Sequence, residues 1–218
     1  MHVLALVTQK GGTGKSSLAV SLAVAALERG LKVYMIDLDP QATARNWFAR
    51  REAAEPEVAT VEANRLSAAL IALQRKGFDL VILDTPGVDT PATTAAMQAA
   101  DLCLIPARPS VADIEAAKPT IRSLNKLGKP FSFVLNQCPP NRSIRTMDAY
   151  RALQLMGGVT GVTLALRADH VDALAQGQGV TERDGQGKAA AEIRELLTWA
   201  VLRMEGKTHD DQKEARVA

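Results

Sequence analysis

The sequence predicts an α/β fold, a mostly parallel twisted sheet with helices on both faces. Three observations lead there. Apolar, β-rich runs recur along the 218 residues with helical stretches between them, the alternation of strand–crossover–strand units. Those runs ("HVLALV", "LVILD", "DLCLIPA", "FSFVL") are continuous rather than alternating, which marks strands covered on both faces. The first of them leads through a glycine-rich loop straight into a helical stretch, "TQKGGTGKSSLAV", and a strand–glycine loop–helix passage is the setting of a phosphate-binding turn.

The elements run in order along the chain. Residues 2–8 read as a strand, and 17–30 as a helix closing on Gly30, a residue that tolerates the left-handed end of a helix. "KVYMIDLD" (32–39) is the second strand and "TARNWFARR" (43–51) a helix. "PEVATVEA" is read as holding a short strand. "LSAALIALQRKG" (66–77) is a helix, "FDLVILDTPG" (78–87) a strand, "PATTAAMQAA" (91–100) a helix and "DLCLIPA" (101–107) a strand. Residues 110–128 form a long helix, expected to kink at Pro119 because proline removes a helical hydrogen bond. "PFSFVLNQ" (130–137), the helix 144–157, a last strand "GVTLAL" (161–166) and the helix "KAAAEIRELLTWAVLRM" complete the chain. No internal repeat or linker interrupts it. Residues 1–205 are expected to form one domain, and 206–218, "GKTHDDQKEARVA", a polar, disordered tail.

Composition sets bounds. A mass of 23.3 kDa suits a single domain, and with aromatics at 4% the core must rest on Ala, Val, Leu and Ile. The net charge of +2 neither demands nor excludes nucleic acid; only a local basic patch could argue for it. Two cysteines without a C-x-x-C spacing give no disulfide framework and no zinc site. Cys103, inside an apolar run, is expected to be a small core residue. The start of the chain lacks the charged and long apolar stretches of a signal peptide, and the longest apolar region, residues 18–27, is about half a membrane span. A reducing cytoplasm is the expected setting.

The loop departs from the common phosphate-loop pattern of Gly, four residues, then Gly-Lys-Ser/Thr. Gln9 stands where the first glycine belongs, and a second lysine, Lys10, lies inside the loop. Gly11, Gly12 and Gly14 let backbone N–H groups turn inward around phosphate oxygens, and the next helix adds the positive end of its dipole. Gly11, Gly12, Thr13, Gly14, Lys15, Ser16 and Ser17 are therefore the candidate nucleotide-binding residues. In this pattern Lys15 reaches the β- and γ-phosphates, and the Ser16 hydroxyl holds Mg²⁺. Two further motifs end strands. In "DLDPQ" (37–41) a carboxylate can orient an attacking water or bind Mg²⁺ through water, and in "LVILDTPG" (80–87) Asp84 fits the second carboxylate of a magnesium shell.

Together, "KGGTGKS", "DLDPQ" and "ILDTPG" resemble the deviant Walker A ATPases, the P-loop NTPases that include ParA, MinD and the nitrogenase iron protein. The likeness runs from residue 2 to about 204 and is nearest to small plasmid-partition ParA proteins of the ParF kind, in "DPQATARNW", "LIPARPSVADIEAA" and "VLNQ". The resemblance implies that Lys10 crosses a dimer interface to the partner's nucleotide, like an arginine finger supplied in trans. It implies that ATP binding builds a face-to-face homodimer and that hydrolysis dissolves it. By the same likeness, catalysis falls to Lys10, Lys15 and Asp39, with Asp39 positioning the lytic water and Asp37 behind it. Ser16, Asp37 and Asp84 serve the metal, Asn136 reads adenine, and "IPARPSVAD" packs near the nucleotide and the dimer seam. The implied protein is a weak Mg²⁺-dependent ATPase, cytoplasmic and nucleoid-associated. It segregates a plasmid or chromosome locus with a centromere-binding or adaptor protein of the ParB or ParG type that stimulates hydrolysis. Two departures stand out: Ser16 replaces the Thr of many relatives, and "LALRADHVDALAQGQGV" near the base fits the family loosely.

Relatives of this kind hold DNA without reading its sequence. Arg142, Arg145, Arg167 and Arg194 are the candidate contacts, with Arg151, Arg183 and Lys188 as further cations; a merely solvated face is the competing reading. A MinD-like protein would end in a basic amphipathic helix for a membrane surface. Here the last helix puts Ile193, Leu196, Leu197, Ala200, Val201 and Met204 on one face, so a core helix is expected and no membrane partner. An iron protein needs exposed cysteines at the dimer axis. A ligase of the dethiobiotin synthetase kind needs its own substrate pocket. A binding module without hydrolysis is opposed by Lys15, Asp39 and Asp84. The alternative function is positioning of a protein cargo, a chemoreceptor cluster or a carboxysome, or that of a MinD-like membrane-surface ATPase.

Overall fold

A computed structural model of the chain describes residues 1–141 and 143–207. Seven strands form one sheet: β1 (His2–Leu6), β2 (Val33–Asp37), β3 (Glu57–Thr60), β4 (Leu80–Asp84), β5 (Leu102–Ala107), β6 (Phe131–Cys138) and β7 (Val159–Ala165). Their order is β3-β2-β4-β1-β5-β6-β7, and every pairing is parallel. Around it lie α1 (Lys15–Glu28), α2 (Thr43–Arg50), α3 (Leu66–Arg75), α4 (Pro91–Ala99), α5 (Val111–Leu127), α6 (Ile144–Gln154), α7 (Ala168–Ala175), α8 (Val180–Arg183) and α9 (Lys188–Met204).

The continuous apolar runs are explained by two cores, one on each side of the sheet. Successive side chains of a strand point to opposite faces. Leu4, Leu6, Leu80, Ile82, Leu102 and Leu104 pack with residues of α1 and α9. Val3, Ala5, Val7, Val81, Leu83, Cys103 and Ile105 pack with residues of α3 to α6. α1 buries ten of its fourteen residues, most of them Ala, Val and Leu, because the sheet covers one side and α9 the other. Cys103 and Cys138 are both buried, and Cys103 is part of the core as expected.

The edges differ from the centre. In β7, Thr160, Val162 and Leu164 are buried while Gly161 and Thr163 are exposed; this strand alternates because it borders the sheet. It also begins two residues earlier than expected. α5 runs through Pro119 without ending there. α7 and α8, eight and four residues long, were not expected as helices. α9 buries Ile193, Leu196, Leu197 and Ala200, with Val201 and Met204 packed on the same core, so it is a core helix. Among the described residues no helix is long and apolar enough to cross a membrane. Of the tail expected at 206–218, residues 208–218 lie outside the described residues.

Candidate functional site

The strand order decides where a ligand can sit. From β1 the chain moves to one side through β2 and β3, returns to β4, then crosses to β5, β6 and β7 on the other. β1 therefore lies at the switch point, and open parallel sheets bind ligands in the crevice beyond the carboxyl ends of the strands there. The loop between β1 and α1 opens at this place.

Gly12 and Gly14 have φ of +75° and +88°, the left-handed region that a side chain disfavours. Gly14 is also crowded: a Cβ there would lie 2.5 Å from Asn136 Nδ2. From the end of β6, Asn136 Nδ2 donates to the Thr13 carbonyl at 2.7 Å, and Gln137 Nε2 donates to the Gly12 carbonyl at 3.3 Å. A trans peptide places its N–H opposite its C=O, so tying these carbonyls to one side turns the next amides to the other, as an anion cradle requires. The β4–α4 connection passes so close that a Cβ on Gly87 would be 3.0 Å from Gly11 N. Lys15 is buried and its Nζ donates to the Lys10 carbonyl at 3.3 Å. Burial lowers its pKa, while the charges of Asp84 and Asp39 hold the proton on.

Three carboxylates border the loop. Asp37 and Asp84 are register partners on β2 and β4, both buried. Asp37 Oδ1 accepts from Asp39 N and Oδ2 from Arg45 N, both at 3.0 Å. It thereby fixes the turn that carries Asp39 to α2. Burial raises its pKa against these N–H donors. Asp39 is half-buried, with Oδ1 accepting from Gln41 N at 3.0 Å. Asp84 is different: fully buried, with neither oxygen in a hydrogen bond. Burial pushes it up to about 7, only partly offset by the Ser16 hydroxyl and Lys15, while Asp37 and Asp39 add repulsion.

An orphaned buried carboxylate beside a serine hydroxyl fits a hard divalent cation, which takes oxygen ligands. Among the described residues no group of three or more His, Cys, Asp or Glu is placed to hold a metal. A cation here would take its remaining ligands from phosphate oxygens and water, the usual habit of Mg²⁺.

Lys10 does not point at the cradle. Its Nζ donates to Asp113 Oδ2 at 2.7 Å. Asp113, in the first turn of α5, also accepts from Ser110 Oγ and, on Oδ1, from Arg108 Nε at 3.0 Å. Burial would raise this carboxyl, but the bonds from Arg108, Lys10 and Ser110 outweigh it and hold it down at about 2.

Beyond the loop a small cavity is lined by Gly14, Ser17, Asn136, Leu166, Arg167 and His170, among others. It adjoins Gly14 and Ser17 of the loop. Asn136 Oδ1 accepts from Gln137 N at 2.9 Å, so one amide hydrogen of Asn136 is left uncommitted. His170 Nε2 is buried without a partner, and burial lowers its pKa.

Residues 4–180 match the CobQ/CobB/MinD/ParA nucleotide binding domain. The chain belongs to this family. Among curated relatives, the maintenance of carboxysome distribution protein A of Gloeobacter kilaueensis is 32% identical over 194 residues, 88% of each chain. Protein IncC of Escherichia coli is 29% identical and covers 94% of this chain and 70% of its own. Among solved structures, Cyanothece McdA in complex with ATP superposes with a TM-score of 0.69 at 19% identity, over 96% of this chain and 98% of that one; this is a likeness of fold.

Within this CobQ/CobB/MinD/ParA domain, the structure brings Gly11 to Ser17, Asp37, Asp39, Asp84 and Asn136 around one crevice. Lys10 lies at its rim. Gln137, Gly87, Asp113, Arg108 and His170 lie in segments picked out from the sequence but were not themselves named there. Gln137 had a signal in its place beside Asn136, and Asp113 in the spacing Ser110-x-x-Asp113, a helix-capping pattern. The arginines do not converge. Arg145 is exposed on α6. Arg167 is bound to Glu192 at 2.6 Å, and Arg194 to Glu28 at 3.1 Å and to the Gly185 carbonyl. Arg142 lies outside the described residues.

Proposed function

We propose that the chain is a ParA-type ATPase that binds ATP with Mg²⁺, pairs face to face with a second copy, hydrolyses slowly and holds DNA non-specifically while paired. The observation that carries this reading is the two-lysine loop at the switch point, with the orphaned Asp84 carboxylate beside it. Gly11 to Ser17 bind the phosphates and Lys15 neutralises the β- and γ-oxygens. Ser16 and Asp84 would hold Mg²⁺, which would supply electrostatic stabilisation of phosphate charge. Asp37 fixes the turn of Asp39, and Asp39 orients the lytic water. Asn136 reads the base and Lys10 reaches the partner's nucleotide. Residues 1–205 act as one domain.

The exposed apolar residues support the pairing. Val88, Val111, Ile144, Met147, Leu166 and Val171 are each more than half exposed. These six come after carboxyl ends of strands, on the edge that carries the loop, while Leu155, 91% exposed, lies at the other end of α6; several apolar side chains exposed along one edge mark an interaction surface. For DNA, α5 offers what the other arginines do not. Lys118, Arg122 and Lys126 are exposed at spacing of four, which keeps them within an arc of about 80° over about 12 Å. One DNA strand places three to four phosphates in that length at roughly 3.4 Å each. Arg145 and Arg151 lie on the adjoining α6.

Segregation of a plasmid or chromosome locus, in the cytoplasm on the nucleoid and with a ParB- or ParG-type partner, is the role we assign. Positioning of a protein cargo is the second reading, favoured by the Gloeobacter kilaueensis relative that matches 88% of each chain. Retention on unrelated DNA duplexes at low salt, with and without ATP, tests the switch. ATP should turn retention on, and Glu at Lys118, Arg122 and Lys126 together should remove it with basal turnover intact. Retention without ATP, or none with a confirmed dimer, would overturn the DNA role. A fluorescent fusion that tracks a plasmid locus or a protein cluster separates the two cargoes.

A further inference from the structure

We propose that Arg51 is a positioning residue for hydrolysis: it moors the far end of α2 to the α7–α8 turn and so steadies the bend that carries Asp39. The inference rests on the reading of Asp39 as the residue that orients the lytic water. Pro40, Gln41 and Ala42 alone separate Asp39 from α2, so the direction of this helix sets the place of the carboxylate. Ala42 has φ of +52°, a left-handed conformation that a Cβ disfavours and that lasts only where its surroundings hold it. α2 itself is short. Of its eight residues it buries Ala44 and Trp47, with Phe48 packed partly on the same core. A helix in a protein takes most of its stability from packing, and here packing alone gives a weak hold.

Polar ties at the far end make up the difference, and they run to one place. Trp47 Nε1 donates to the Gln178 carbonyl at 3.0 Å, and Arg50 Nη2 to the Leu174 carbonyl at 3.1 Å. Arg51 Nη1 donates to the Gly177 carbonyl at 3.0 Å and to Glu182 Oε2 at 2.8 Å, while Nη2 donates to Glu182 Oε1 at 2.6 Å. Arginine, and not lysine, offers a carboxylate this two-pronged grip. The Arg51 side chain is 4% exposed, and its guanidinium lies 5.0 Å from the centre of the Trp47 ring. The two backbones meet so closely that a Cβ on Gly177 would be 2.7 Å from the Arg50 carbonyl. The anchor is firm. Ala173 and Val180 belong to the core that includes α1, and a Cβ on Gly179 would be 2.6 Å from Val24 Cβ. With α7 and α8 fixed against α1, α2 is the member that Arg51 restrains.

A positioning role separates turnover from binding, because none of these ties involves the phosphate loop. In Arg51→Met, single-turnover hydrolysis of ATP should slow by roughly ten- to a hundredfold, the scale of a misplacement of about 1 Å, while the dissociation constant for ATP stays within about twofold of the parent's. Glu182→Gln keeps an oxygen for the Gly179 N–H, bonded at 2.9 Å, and loses the charge. It should slow turnover in the same direction but less, and the double variant should be no slower than Arg51→Met. Hydrogen exchange needs no nucleotide. It should quicken at residues 46–48 of α2 in both single variants and match the parent at residues 20–25 of α1. Parent-rate turnover in Arg51→Met would overturn the proposal. So would exchange that quickens alike in α1 and α2, or ATP affinity lost as far as turnover, since either marks a merely structural arginine. An Asp39→Ala protein that turns over at the parent rate would sink the reading of Asp39, while exchange would still judge the mooring of α2. Should Arg51→Met fail to fold, the partly exposed Glu182 decides through Glu182→Gln alone.

Discussion

Asp84 and Asp113 are both buried acids at the carboxyl edge of one sheet, and their surroundings are opposite. Asp84 ends β4 with neither oxygen bonded, and burial pushes it up to about 7. Asp113 opens α5 with a lysine, an arginine and a serine on it, and those bonds hold it down at about 2. An unpartnered buried carboxylate destabilises a fold, so its retention points to a ligand that completes it. An over-partnered one needs no such ligand. The first is a vacancy for positive charge and the second a place already filled.

The sharpest way to break this contrast is Asp84→Asn. Turnover should fall by roughly 10²–10³, the scale of losing one preorganised electrostatic group, and titration with Mg²⁺ should no longer raise it. The same change should stabilise the nucleotide-free protein at pH 8 by about 1–3 kcal/mol, because a neutral amide replaces a carboxylate whose ionisation burial disfavours. Urea unfolding checks it; a destabilised Asp84→Asn would mean that Asp84 has partners in solution. Next in size is Asp113→Ala, expected to destabilise by about 1–3 kcal/mol because it strips a cap and leaves Arg108 and Lys10 unpaired. Gain at one acid and loss at the other is the contrast in a single experiment.

The smallest effect is in pH. Asp84 has a folded pKa of about 7, above an unfolded value of about 4, so the folded state binds the extra proton between them. Its contribution is full below about pH 4 and is lost as pH rises through 7. Asp113, at about 2 when folded, contributes fully above about pH 4 and loses that contribution as pH falls through 2. Between pH 5.5 and 8, then, unfolding free energy should have a more negative slope against pH in the nucleotide-free parent than in Asp84→Asn, with half-buried His170 adding an opposite slope common to both. Matching slopes would remove Asp84 from the account.

Much of this arrangement was legible in the sequence. The strand–glycine loop–helix passage and the continuous apolar runs determine the sheet and its two covered faces, and local signals of that kind need no knowledge of the rest of the chain. Asp84 was visible as an acid ending an apolar strand, yet its lack of partners is a property of packing. The bond from Lys10 to Asp113 joins residues 103 positions apart, and no periodicity encodes such a meeting. The paired state of Arg167 and Arg194 was hidden for the same reason. α7 and α8 escaped because neither has an apolar stripe long enough to announce a helix.

The place of β1 at the centre of the sheet has a consequence for biosynthesis. Leu4 pairs with Ile82 on one side and with Leu102 on the other, partners that the ribosome makes about 80 and 100 residues later. At roughly 5–20 residues per second, the strand that anchors the nucleotide loop waits several seconds or more for its first neighbour. Until then "HVLALV" is an unpaired apolar edge, the kind of segment that chaperones hold and that aggregates at high expression. Slower elongation before residue 102 should therefore lower soluble yield more than the same slowing after it.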